Sequence, residues 1–243
     1  MERIKETFLA TALFVGLLVG FGSSSEAAPY FAIQITTNAG SFVIQDNLTS
    51  GLGDADSRYG IIEWKGNAGN WTLDINVAQT YDYFGSISSP KIGLASVVNN
   101  SMAPDTLRID VSVMEFMAPT TSFNSAQVAI GGTTLPAGNS IVSAQLFGGN
   151  SNVLFDKSNF IVSTGALAGD DNGGTFGGSA VANFQPTSTT FSLTSEVTIL
   201  HNVQGTTTFD AIATAVPEPF TLLFLGTCLL GAGVASRKIK TKM

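Results

Sequence analysis

The chain has 243 residues, with eleven Lys and Arg against eighteen Asp and Glu, one histidine and one cysteine. A net charge of −7 repels phosphate backbones and excludes nucleic acid as a partner. A lone cysteine excludes an internal disulfide, and a lone histidine disfavours triad hydrolysis and zinc catalysis.

The N-terminus reads as a secretory signal. Arg3 and Lys5 precede an uncharged, mostly apolar run, Thr7 to Gly22, which carries Leu9, Leu13, Phe14, Val15, Leu17, Leu18 and Val19. Ser25-Glu26-Ala27 places small residues at −3 and −1 of a cleavage site, so residues 1–27 are expected to be a signal helix removed after Ala27.

From Ala28 the composition changes. Ala28 to Val216 holds five basic residues (Arg58, Lys65, Lys91, Arg108, Lys157) against fourteen acidic ones, a net charge of −9. About 190 residues between the two ends suit one domain, which buries roughly 70% of the surface of its unfolded chain. Period-two alternation recurs and helical periodicity is nearly absent. Strands are expected at Tyr30–Thr37, Ser41–Gln45, Ile61–Lys65, Trp71–Thr80, Lys91–Val98, Thr106–Phe116, Phe123–Ile130, Ser140–Phe147, Phe160–Thr164, Thr189–His201 and Thr206–Ile212. In the clearest, Trp71, Leu73, Ile75 and Val77 point one way while Thr72, Asp74 and Asn76 point the other. The clusters Gly51-Leu52-Gly53-Asp54, Gly66-Asn67-Ala68-Gly69, Gly131-Gly132 and Gly148-Gly149-Asn150 read as turns. The expected fold is all-β: an antiparallel β-sandwich or jelly-roll-like domain over residues 28–211, with Ala213-Thr214-Ala215 as a flexible lead into the tail.

Residues 212–243 form the linker and the tail. Val216-Pro217-Glu218-Pro219 is followed by Phe220 to Ala235, sixteen residues without a charge, and then by Arg237, Lys238, Lys240 and Lys242. As a helix the run (residues 220–235) spans about 24 Å, short of a hydrocarbon core of about 30 Å by an amount that snorkelling lysines accommodate. The basic end belongs on the cytoplasmic side. The prolines disfavour helix immediately before them and leave an extended peptide outside the membrane. Cys228 falls in the apolar run and reads as a small lipid-facing residue.

This three-part tail resembles the PEP-CTERM sorting signal of Gram-negative bacteria, with Pro217, Glu218 and Pro219 as the motif and Arg237-Lys238 in the basic cluster. The resemblance covers about the last 28 residues, out to Met243. It implies processing by exosortase, a membrane-embedded transpeptidase-like enzyme, with Glu218 as the recognition element between two rigid prolines. It also implies association with exopolysaccharide and the biofilm matrix, by way of a precursor tethered in the inner membrane and then the cell surface, outer membrane or matrix.

The middle offers few groups for chemistry. His201 falls in phase with Val197 and Ile199 and is expected at the edge of the core. A glycosidase needs two carboxylates about 5–9.5 Å apart; Asp74, Asp82, Asp110, Glu115 and Glu196 are the candidates, each more simply a solvated strand residue. Two acidic loops are candidate calcium sites, one with Asp54 and Asp56 and the other with Asp170, Asp171 and Asn172, although Asx-turns explain both and no cofactor is otherwise implied. Trp64, Tyr81 and Tyr83 are candidate glycan contacts, whereas Trp71, in phase with Leu73, belongs to the core. The expected function is a non-enzymatic, exosortase-sorted surface or matrix protein. A carbohydrate-binding module acting on exopolysaccharide is the alternative, and an extracellular hydrolase with a carboxylate pair comes third.

Overall fold

The alternating segments become strands. The computed structural model describes residues 31–46, 53–81, 84–102, 104–118, 123–170 and 174–217. The signal segment, Asp82, Tyr83, Asp171, Asn172, Glu218, Pro219 and the tail beyond lie outside the described residues. Thirteen strands follow in order: β1 (Phe31–Thr37), β2 (Gly40–Gln45), β3 (Ile61–Ala68), β4 (Trp71–Gln79), β5 (Lys91–Asn100), β6 (Asp105–Met117), β7 (Phe123–Leu135), β8 (Ser140–Gly149), β9 (Asn159–Ser163), β10 (Leu167–Ala168), β11 (Thr175–Ala182), β12 (Thr190–His201) and β13 (Gly205–Pro217). All eleven expected strands are present.

They make two antiparallel sheets packed as a sandwich. The first has the order β10-β8-β12-β6-β1-β2, with β9 also paired to β8; the second has the order β11-β7-β13-β5-β4-β3. The two centres mirror each other, since β6-β12-β8 in one sheet faces β5-β13-β7 in the other and the chain crosses between them. Between them lies one core, built from Phe31, Ile33, Ile35, Leu107, Ile109, Val111, Val113, Leu193, Val197 and Ile199 on one side and Trp71, Leu73, Ile75, Ile92, Val128 and Ala213 on the other. Each large side chain so buried contributes roughly 1.5–3 kcal/mol.

Three expectations change. The glycine pairs at 131–132 and 148–149 are not turns but lie inside β7 and at the end of β8, and Gly66, Asn67 and Ala68 belong to β3. At Gly132 an added Cβ would strike the Thr208 carbonyl oxygen and lie 2.9 Å from the Phe176 ring, so the glycine lets the β13 backbone and an aromatic ring approach the strand together. Residues 175–182, where no strand is expected from the sequence, form β11, which pairs with β7 from Thr175↔Thr133 to Ala182↔Ala126. Its apolar side is too small to show as alternation. Lastly, the domain does not stop at residue 211. β13 continues between β5 and β7, Ala213 and Ala215 are fully buried, and Pro217 pairs with Phe123. The expected flexible lead is therefore a central strand, and a proline lacking an N–H is tolerated at its very end.

Among the described residues no helix is long and apolar enough to cross a membrane.

Candidate functional site

Strand alternation should leave every second residue of β6 and β12 facing solvent, yet Ile109 to Val113 and Phe191 to Ser195 are buried without interruption. The outward residues of these runs include Asp110, Ser112, Ser192 and Thr194, and the β8–β9 loop, residues 150–158, packs over them. Ser112 Oγ lies 2.9 Å from Thr194 Oγ1 and accepts a 2.9 Å hydrogen bond from the Phe155 N–H. The loop sits close because Gly149 has no side chain: a Cβ there would come within 2.6 Å of Asp156 Cβ and would also strike Ser192 Oγ.

The loop carries unusual backbone. Asn152 and Phe155 have φ of 53° and 59°, and Glu115, at a bulge of β6 against β12, has 67°. These are the left-handed conformations that non-glycine residues avoid. Two of the three are tied together, since the Glu115 N–H donates to Asn152 Oδ1 at 2.7 Å. Asp156 holds the far side by accepting from the Ser158 N–H at 2.9 Å and from the Ser151 hydroxyl.

This backbone delivers Lys157 onto the outer face of the first sheet. Asp110 and Glu196 are direct cross-strand partners there. Lys157 Nζ is 2.7 Å from Asp110 Oδ1 and also donates to Glu196 Oε2. Arg108 Nε approaches the other Asp110 oxygen at 3.3 Å. The Asp110 side chain has no exposed surface, and that of Lys157 keeps 24%. Burial pushes the Asp110 carboxyl above its ordinary range, against the opposing pull of Lys157.

Beside this cluster lies an aromatic pair. Phe147 and Phe160 are register partners on β8 and β9, and their rings meet edge-on with centroids 5.7 Å apart. Phe160 is 55% exposed. Lys157 Nζ lies 5.5 Å from the Phe147 centroid. Gln145, the partner of Glu196 on β8, and Thr198, whose hydroxyl donates to Glu196 Oε1 at 3.2 Å, complete a half-buried polar strip next to the exposed ring.

The residues expected from sequence fall elsewhere. Trp64 and Tyr81 are buried and offer no stacking platform. Trp64 lies in phase with Ile62 on the inner side of β3 and meets Phe42, and Tyr81 packs on Phe116 with centroids 5.7 Å apart. Tyr83 lies outside the described residues. Trp71 and His201 are in the core with rings 4.8 Å apart, and His201 Nε2 is 2.7 Å from Thr207 Oγ1. The first acidic loop is built of Asx-turns, whereas Asp171 and Asn172 of the second lie outside the described residues. Asp54 Oδ1 accepts from the N–H groups of Asp56 and Glu63 at 2.9 and 2.8 Å, Asp56 pairs with Arg58, and Asp170 accepts from the Thr175 N–H and hydroxyl. Arg58 holds the Asp56 carboxyl down at about 2. Among the described residues no group of three or more His, Cys, Asp or Glu side chains is arranged to hold a metal ion. Asp74 is paired with Lys65 at 2.6 Å on the other sheet.

Of the candidate carboxylates, the structure thus joins Asp110 with Glu196. Glycoside hydrolysis needs open space between its two carboxyl groups, and here a lysine fills it. Sequence reading missed Lys157, Phe147, Phe160 and Gln145. The signal available was the scarcity of cations: Lys157 is one of five in the middle of the chain.

No family model matches the chain, and no curated protein matches it. Among solved structures it is similar to TmCBM61 in complex with beta-1,4-galactotriose, with TM-score 0.33 and 7% identity, covering 59% of this chain and 86% of that one. It is similar to the carbohydrate-binding module TmCBM27, which recognises mannan, with TM-score 0.30 and 12% identity over 60% of this chain and 88% of that one. It is similar also to the xylan-binding module CBM15, with TM-score 0.31 and 10% identity over 66% of this chain and all of that one. Likeness at this level carries no ligand across, and the site stands on this chain's own residues.

Proposed function

We propose that the chain is an exported, non-catalytic, jelly-roll-like β-sandwich that binds polysaccharide on the outer face of its first sheet. The observation that carries this reading is the exposed Phe160 ring, braced edge-on by Phe147, beside the amide of Gln145 and the carboxylate of Glu196. A sugar ring presents C–H groups that pack on an aromatic face and hydroxyls that need amide and carboxylate partners, and this strip offers both kinds of contact. The sorting tail supports an exported destination, because its resemblance to PEP-CTERM signals implies exosortase processing and association with exopolysaccharide. The surface form of the protein is then expected to lack residues 220–243, and finding them intact by mass spectrometry defeats that part of the reading.

Binding is tested by affinity electrophoresis of the protein against the exopolysaccharide of the cells that make it. Phe160→Ala is expected to weaken retardation on the order of tenfold with the melting temperature held. Gln145→Ala should weaken it as well, and no reducing ends should appear on prolonged incubation. Retardation unchanged in both variants overturns the site, and release of reducing ends overturns the non-catalytic assignment.

A further inference from the structure

The sandwich holds a lysine, an aspartate and a glutamate in mutual contact beneath a loop, and neither sorting nor glycan binding uses the lysine–aspartate pair. We infer that Lys157 and Asp110 are the two ends of an intramolecular isopeptide bond, formed by the protein itself with Glu196 as the proton carrier. The inference shares Glu196 with the glycan-binding reading but does not rest on it.

Three observations carry it. The first is contact: Lys157 Nζ lies 2.7 Å from Asp110 Oδ1, so the amine already touches the carboxyl it would acylate. The second is a third group with the right reach, since Glu196 Oε2 accepts from the same Nζ and Glu196 is the cross-strand neighbour of Asp110. The third is exclusion of water. The Asp110 side chain is wholly enclosed, and the amine is walled by the Phe147 ring 5.5 Å away and by the loop whose Phe155 N–H is fixed on Ser112. A condensation that expels water is favoured where water is scarce, and the enclosed Asp110 carboxyl gives up its charge when the amide forms.

The step balances without any outside reagent. The ammonium of Lys157 gives a proton to the Asp110 carboxylate within the cluster, leaving a neutral amine and a neutral acid. The Nζ lone pair attacks Asp110 Cγ. Glu196 takes a proton from the nitrogen and returns it to the departing Asp110 oxygen. A C–N bond forms, a C–O bond breaks, one water leaves, and Glu196 ends as it began. The charged groups facing the cluster are Asp110, Glu196, Lys157 and Arg108. Arg108 approaches the Asp110 oxygen that the lysine does not contact, and its guanidinium also reaches Thr36 Oγ1 at 3.5 Å. It stays charged and balances the Glu196 carboxylate once the bond has formed. The bond would tie the β8–β9 loop to β6, 47 residues away in sequence, and would hold in place the backbone at Asn152 and Phe155.

The test is peptide mapping by mass spectrometry of the full chain after complete proteolysis under reducing conditions. The expected product is one branched peptide joining the Lys157 and Asp110 segments, lighter than their sum by one water molecule. Lys157→Arg keeps the charge but is expected to yield separate peptides, and Glu196→Gln is expected to yield mostly separate peptides despite an unchanged fold by circular dichroism. Recovery of the unmodified Lys157 and Asp110 peptides from the wild type overturns the inference. A branched peptide formed equally well in Glu196→Gln overturns the role given to Glu196.

Discussion

Trp64 of β3 meets Phe42 of β2 with ring centroids 5.3 Å apart at 53°, joining the edge strand of one sheet to the edge strand of the other. The two rings close the side of the sandwich that no hydrogen-bonded strand closes. The indole lies over Gly66, where an added Cβ would fall within 2.7 Å of the ring. Trp64→Ala therefore opens the seam, and its expected effect is a loss of about 3–5 kcal/mol in stability. Urea unfolding reads that loss directly. Glycan retardation measured at low temperature, where the variant is still folded, should stay near the wild-type value. Selective loss of retardation without loss of stability would return Trp64 to the ligand surface.

His201 gives the fold an acid-sensitive edge. Burial lowers its pKa from 6.5, so the folded state prefers the neutral ring and the unfolded chain binds the proton more readily. Its stabilising contribution is complete above pH 6.5 and is lost as the pH falls through the lower folded value. Nδ1 has no hydrogen-bond partner among the described residues, so protonation there gains nothing from them in return. Thermal melts between pH 7 and pH 5 should show the melting temperature falling in the wild type and falling less steeply in His201→Gln. Parallel curves for the two proteins rule the mechanism out.

Asp46 acts in the opposite sense. Its carboxyl is raised from 3.8 to about 6, chiefly by burial, opposed by the hydrogen bond from the Gly60 N–H and assisted by Asp54 and Asp56. The fold prefers the protonated acid, so this contribution is present below pH 3.8 and is lost as the pH rises through 6. Asp46→Asn mimics the neutral form and retains an oxygen to accept the 2.7 Å bond from Gly60. The variant should be more stable than the wild type at pH 7 by about 1–2 kcal/mol, after allowance for the solvent screening of a half-buried group. The gap should close near pH 4. Equal stability at both pH values contradicts the assignment.

The sandwich was legible because its inward positions are large: Ile33, Leu107, Ile109, Val111, Val197 and Ile199 mark their strands without help. β11 was not legible, because Gly177, Gly178, Ser179 and Ala180 give no alternation and the strand is defined by β7 beside it. The glycine pairs misled for a related reason. A glycine that makes room for a ring and a glycine that turns the chain look alike in a sequence. The site was half legible. Asp110 and Glu196 were both among the candidate carboxylates, but their partnership depends on strand register and on a loop whose course is set by Gly149 and by left-handed residues. The aromatic candidates failed because Trp64 follows Ile62 onto the inner side of β3, where Phe42 of β2 covers it, and a partner on another sheet leaves no mark in the sequence.

The end of β13 makes the last prediction. Sequence composition placed the domain boundary at residue 211, yet Ile212, Ala213 and Thr214 pair with β5 on one side, and residues 212–217 pair with β7 on the other. A further bond ties the Ala215 N–H to the Pro90 carbonyl at 3.0 Å. Removing these residues leaves the second sheet with an unpaired gap at its centre rather than at an edge, exposing N–H and C=O groups of both neighbours and uncovering Val128 and Ile92. A chain ending after residue 211 is therefore expected to be unfolded or to aggregate, while one ending after residue 217 should melt cooperatively at nearly the full-length temperature. Circular dichroism melts of the two truncations decide the matter. A well-folded shorter form would show that the last six residues merely lie along the sheet, whereas its failure shows that residues 212–217 are needed by the folded domain.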